Sequence, residues 1–181
     1  MNLAKQHILE AAARLFERQG YHATGLNEII RESNTPKGSL YYYFPEGKEQ
    51  IGAETALWAG EQISKRIREG LSQAEQPAQA VRMLTLRIAN AVEQSNFSAG
   101  GPLMMLAAET ATRSERINAA CRKAYRQMQD ALAERLGDDN LAGFVLTTLE
   151  GAILLSRVQH SGDALRHAAE YLYTYIKARE R

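Results

Sequence analysis

Residues 25–48 read GLNEIIRESNTPKGSLYYYFPEGK, and the fold turns on how this stretch is read. Leu26, Ile29 and Ile30 fall at i, i+3 and i+4, which lays an apolar stripe along one short helix. Ser33-Asn34-Thr35 then breaks the pattern. Thr35 is placed to cap a second helix with its hydroxyl, and Pro36 suits the first helical position, where no amide hydrogen bond is lost. The second helix is expected to run from Pro36 to Tyr43, with the small or basic Lys37, Gly38 and Ser39 at its start and Leu40, Tyr41, Tyr42, Tyr43 and Phe44 behind them. A short helix, a tight polar turn and a second short helix is the layout of a helix-turn-helix.

Upstream, Ile8, Ala12, Leu15 and Phe16 share one face of a first helix that ends near Gly20. Downstream, Pro45-Glu46-Gly47 is a turn, and Lys48 starts a helix expected to reach Gly70, long enough to act as a strut. Pro77 opens another helix carrying Val81, Leu84, Ile88 and Val92. Ser98-Ala99-Gly100-Gly101-Pro102 is the clearest break in the chain. Helices are then expected over 103–112, 114–136 and 138–159, with Gly137 as a stop, and over 161–179. The expectation is an all-α chain of about nine helices. Its domains are a helix-turn-helix head over 1–47 and an effector-binding and dimerisation body over 48–181.

The chain has 181 residues, 45% of them hydrophobic, which suffices for a core. Net charge is only +1, and the basic residues of the first 50 positions are matched by acidic ones, so any DNA contact must come from how charge is arranged. The single cysteine, Cys121, excludes an internal disulfide and fits a reducing cytoplasm. The N-terminal MNLAKQHILEAA has helical rather than signal-peptide character, and no apolar run of membrane-spanning length is read. No nucleophile–base grouping is visible, His160 and His167 lack metal-ligand spacing, and Gly100-Gly101-Pro102 lacks the lysine and hydroxyl of a phosphate loop. Neither enzyme activity, nor a cofactor, nor a metal is expected.

The stretch ILEAAARLFERQGYHATGL, the NEII helix, KGSLYYYF and Lys48 together resemble the tetracycline-repressor (TetR) family of bacterial transcription regulators. FPEGKEQ and the later GGPL loop resemble the LmrA/YxaF-like subgroup. The turn Pro45-Glu46-Gly47 is one residue longer than the commonest family turn. The resemblance implies that Tyr42 and Lys48 hold the DNA backbone while Lys37, Ser39 and Tyr41 help read sequence. Gly38 lets the helix approach the duplex, Thr35 stands at the helix start, and Thr24 and Arg31 are further backbone candidates. Leu40 and Phe44 are read as core. Two heads on a homodimer would match the two halves of a palindromic operator.

Trp58, Met83, Met104, Met105, Tyr125, Met128 and Phe144 are candidate walls of a small-effector pocket, because methionines and aromatics adapt to irregular apolar ligands. Glu109 could orient a polar group, and Cys121 could sense electrophiles if it were an exposed thiolate. Leu141, Val145, Leu149 and Ala152 with Leu165, Ala169, Leu172 and Ile176 form the apolar stripes expected to pair in a dimer. Two other readings stay open: the same fold binding DNA without a small effector, and a helical enzyme or partner-binding module that only mimics the motif.

Overall fold

The computed structural model describes residues 2–179. Among these residues the chain forms nine helices and no strand. They are α1 (Leu3–Gln19), α2 (Leu26–Ser33), α3 (Lys37–Tyr43), α4 (Lys48–Leu71), α5 (Pro77–Gln94), α6 (Pro102–Thr110), α7 (Glu115–Leu136), α8 (Asp139–Gln159) and α9 (Asp163–Arg179). The ends have local causes. Asn2 Oδ1 accepts from the Ala4 amide at 3.0 Å and caps α1. Ser114 Oγ accepts from the Ile117 amide at 3.1 Å at the start of α7. Asp138 accepts from the amides of Asn140 and Leu141 and caps α8.

Two compact units result. The first holds the chain up to Glu61 together with Pro102–Tyr125, and so contains more than the head expected over 1–47: α6 packs on α1, and the first half of α7 belongs to it. Ile8, Leu15, Phe16, Ile29, Leu40, Phe44, Ile51 and Ile117 are fully buried there. Each large side chain so buried contributes roughly 1.5–3 kcal/mol.

The second unit holds Gln62–Gly101 and the chain from Arg126 onward, with α9 packed on both α5 and α8. Here one expectation is corrected. Leu141, Val145, Leu149, Ala152, Leu165, Ala169, Leu172 and Ile176 are all 7% exposed or less, so these stripes form the unit's own core and are not free to meet a partner. The apolar surface lies on other faces: Phe144, Leu154, Leu155 and Val158 of α8 and Tyr171 and Tyr175 of α9 are exposed. Periodicity showed that α8 is apolar on more than one side, but not which side its own fold would cover. The same double-sidedness makes α8, with 21 residues and an 18-residue stretch of mean hydropathy 1.5, long and apolar enough to cross a bilayer by length and composition, a run the sequence reading did not anticipate. Packing against α9 accounts for the inner part of that apolarity.

Candidate nucleic-acid interface

The two short helices are joined by residues 34–36. Asn34 takes the left-handed conformation at φ 50°, and its amide donates to the Arg31 carbonyl, which closes α2. Asparagine tolerates this region better than most residues. The helix α3 begins one residue later than expected, with Pro36 flanking it rather than inside it. Thr35 does not cap it: the hydroxyl lies 2.7 Å from Ser33 Oγ and is buried. Proximity in the turn let two hydroxyls satisfy each other.

Helix α3 sorts its residues by face. Leu40 and Phe44 are fully buried, as expected of core, while Lys37, Gly38, Tyr41 and Tyr42 are exposed and Ser39 and Tyr43 are half-buried. Tyr42, at 78% exposure, packs edge-on against the Tyr43 ring at 4.9 Å. The Lys37 ammonium lies 5.9 Å from the centre of the Tyr41 ring. A side chain added at Gly38 would meet nothing within 4 Å, so nothing in the chain itself crowds that position. The exposed face therefore offers a cation, two phenols and bare backbone, a set that can hold phosphates and touch base edges.

Of three further expected contacts, two come out differently. Thr24 is buried, and its hydroxyl donates to the Gly20 carbonyl at 2.8 Å, which leaves it closing the α1–α2 turn rather than facing outward. Arg31 is exposed, 3.8 Å from the Glu28 carboxylate. Lys48 does not project freely: its ammonium donates to the His22 carbonyl at 3.2 Å and lies 4.5 Å above the Tyr21 ring. Burial pulls its pKa below the usual lysine value, against the opposing pull of Glu109.

The residues that sequence reading missed as neighbours of this surface come from the far half of the chain. The Glu109 carboxylate accepts from the His22 amide at 2.9 Å, and its carbonyl lies 3.3 Å from the His22 ring. Glu109 thus braces the α1–α2 turn. Arg116 makes a two-pronged contact with Glu46 at 2.6 and 3.1 Å, and Ser114 Oγ donates to Glu49 at 2.5 Å. No local pattern in the sequence signals these pairs.

The expected effector residues do not gather around the open groove of about 590 Å³ in the second unit, which is lined by Arg68, Leu71, Ser72, Gln73, Ala74, Glu75, Ala131, Glu134 and Arg135. Trp58, Met104, Met105, Glu109, Cys121 and Tyr125 belong to the first unit, and Met83, Met128 and Phe144 to the second. Met128 is buried, Phe144 is exposed beside Tyr175 at 5.4 Å, and Trp58, Met83, Met104, Met105 and Tyr125 are half-buried. Cys121 is buried, and burial pushes its thiol up to about 11. At pH 8 roughly one molecule in a thousand then carries the reactive thiolate. A thiol-labelling assay should accordingly find Cys121 unreactive in the native protein and labelled promptly after denaturation. Rapid native labelling at pH 8 would restore the sensing role.

Comparison with known proteins bears on this geometry. The family model described as bacterial regulatory proteins of the tetR family matches residues 8–55, and the one described as the C-terminal domain of LmrA/YxaF-like transcriptional regulators matches residues 77–171. The chain is 34% identical to the HTH-type transcriptional regulator LmrA of Bacillus subtilis, over 96% of this chain and 97% of that protein. It is 31% identical to the HTH-type transcriptional regulator YxaF of the same organism, over 96% and 95% respectively. Among solved structures, the reduced form of Escherichia coli NemR shares the fold, with a TM-score of 0.81 at 22% identity over 93% of this chain and 95% of that one.

Proposed function

This chain belongs to the TetR family of transcription regulators, with a DNA-binding helix-turn-helix and an LmrA/YxaF-like C-terminal domain, and from that premise we propose that it is a homodimeric repressor whose two heads read a palindromic operator in the cytoplasm until a small apolar or aromatic effector releases them. The observation that carries the reading is the division of α3, with Leu40 and Phe44 buried beneath an exposed Lys37, Gly38, Tyr41 and Tyr42. In this reading Lys37, Ser39 and Tyr41 face base edges and nearby phosphates, Tyr42 and Arg31 hold the backbone, and Lys48 acts chiefly by fixing the α1–α2 turn against the start of α4. Residues 1–47 form the reading head and residues 48–181 the body that dimerises and takes the effector. A ligand that favours the released form by about 1–3 kcal/mol changes DNA affinity by several-fold to a hundredfold.

A second reading, the same fold regulating transcription without a small effector, draws support from the scatter of the expected pocket residues. Native mass spectrometry of the purified protein discriminates: a retained small molecule favours the first reading, and its consistent absence with full DNA affinity favours the second.

The DNA reading is tested by selecting random duplexes with the purified protein at two salt concentrations. A palindrome should be enriched, with binding that weakens steeply as salt rises. Lys37→Ala should weaken binding about tenfold and reduce the slope of log affinity against log salt by roughly one per head, while the protein stays folded. Tyr42→Ala should weaken binding with little change of slope. Parent-like affinity in both variants would remove α3 from the interface.

A further inference from the structure

The first unit balances its charge, yet by the proposal above it binds a polyanion. Its carboxylates are mostly engaged: Glu54 pairs with Lys5 at 2.6 Å, Glu32 with Arg14 at 3.3 Å, and Glu28 with Gln19 at 2.8 Å and Arg31 at 3.8 Å. Among the described residues, Lys37 has no carboxylate partner. Two carboxylates flank the junction between α3 and α4. Glu46 lies two residues before Lys48, and Glu49 directly follows it. At 3.8 Å per residue the Glu46 and Lys48 backbones are at most about 8 Å apart, within a Debye length at physiological salt. Left bare, Glu46 would repel any phosphate that approaches the end of α3.

Both carboxylates are instead held by the start of α7. Arg116 grips Glu46 with two guanidinium nitrogens, and this bond holds the Glu46 carboxyl below the usual carboxylate range. The Ser114 hydroxyl donates to Glu49 while accepting from the Ile117 amide, so its single proton is committed to Glu49. Arg116 and Ser114 lie beyond residues 8–55, the part of the chain that matches the tetR-family DNA-binding model.

We propose that the first turn of α7 is an electrostatic part of the DNA-reading head, in which Arg116 masks the Glu46 carboxylate from the DNA backbone. The inference rests on the α3 reading of DNA and adds to it a residue some 60 positions downstream of that motif. It makes a prediction with a sign that a purely structural clamp cannot share. Removing the charge of Glu46 breaks the ion pair, which would loosen a clamp and weaken binding. If Glu46 is a masked repulsive charge, its removal frees the Arg116 cation and strengthens binding.

The test uses full-length protein and a duplex enriched by the parent. Glu46→Gln should bind about three- to fivefold more tightly at low salt, with a steeper salt slope. Arg116→Ala should bind about fivefold more weakly, the deficit shrinking as salt screens the exposed carboxylate. The double variant should return to within about twofold of the parent. Melting curves monitor folding, and Glu46→Gln carries the test alone if Arg116→Ala is poorly folded. Weaker binding by Glu46→Gln, or a loss in Arg116→Ala that persists in the double variant, overturns the masking role. If Lys37→Ala and Tyr42→Ala both bind like the parent, the α3 reading has failed and this inference falls with it.

Discussion

Placing two carboxylates on the exposed face of α8, as Leu155→Glu with Val158→Glu, is expected to leave a folded monomer whose operator affinity is lower by at least about a hundredfold. Phe144, Leu155 and Val158 recur at spacings of eleven and three, which keeps them along one side of the helix. They are 51%, 51% and 71% exposed, and Tyr171 of α9 is 77% exposed. The Phe144 and Tyr175 rings, 5.4 Å apart, join the two helices into one apolar surface. Soluble chains rarely leave so many large apolar side chains together in water without a partner. A second copy is the occupant that the proposed palindrome requires, and a two-fold axis pairs this face with itself, so each substitution is felt twice. Losing the dimer turns two linked binding events into single ones, which removes an avidity of about 10²–10⁴. Sedimentation should give the monomer mass with unchanged helicity, and duplex titration the loss of affinity. Leu149→Glu is the contrasting variant: Leu149 is core, so it should unfold the second unit rather than dissociate subunits. A dimer that survives Leu155→Glu with Val158→Glu at micromolar concentration would reject this face.

The contrast between Leu155 and Leu149 also shows what the sequence could and could not convey. Helix existence and several helix ends were legible because their causes are local: Pro77 sits at the first turn of α5, and Gly20 and Gly137 stop α1 and α7. The sorting of α3 was legible for the same reason, since Leu40 and Phe44 are four residues apart on one face. The fates of Thr24 and Thr35 were not, because a hydroxyl near a turn can bond backbone, a neighbouring hydroxyl or an outside group, and only the folded turn decides. The partners of His22 and Glu46 lay further out of reach: they are 87 and 70 residues away in the chain. Periodicity reports that a face is apolar and says nothing of what covers it. That is why the stripes expected to pair in a dimer are instead the core of the second unit, and why the methionines and aromatics expected to line one pocket are divided between the two units.

Those long-range contacts make Gly20 a sensitive backbone position in the head. It ends α1 at φ 87° and ψ 164°, a region that essentially only glycine occupies, and its amide donates to the Phe16 carbonyl at 3.0 Å. Its carbonyl accepts the Thr24 hydroxyl, and the following turn presents the His22 amide to Glu109. A Cβ at position 20 would lie 2.0 Å from Glu109 Oε1, well inside contact distance. Gly20→Ala therefore meets two separate penalties. The backbone must hold a conformation costing about 1–3 kcal/mol for a residue with a Cβ. The Glu109 carboxylate must also move, stranding the His22 amide or weakening its bond, at roughly another 1 kcal/mol. The expected sum of about 2–4 kcal/mol lowers the melting temperature by roughly 4–16 °C in a chain of this size. The two parts separate in a double-mutant cycle. Glu109→Ala alone should cost about 1 kcal/mol by leaving the His22 amide without its acceptor. Adding Gly20→Ala to it should then cost less than in the parent, because only the backbone strain remains. Full additivity of the two substitutions would show that Glu109 does not confine position 20. A parent-like melting temperature for Gly20→Ala would mean that the turn can relax into a conformation open to any residue. In that case the close approach of α6 to the α1–α2 turn would not be what sets the pose of the reading head.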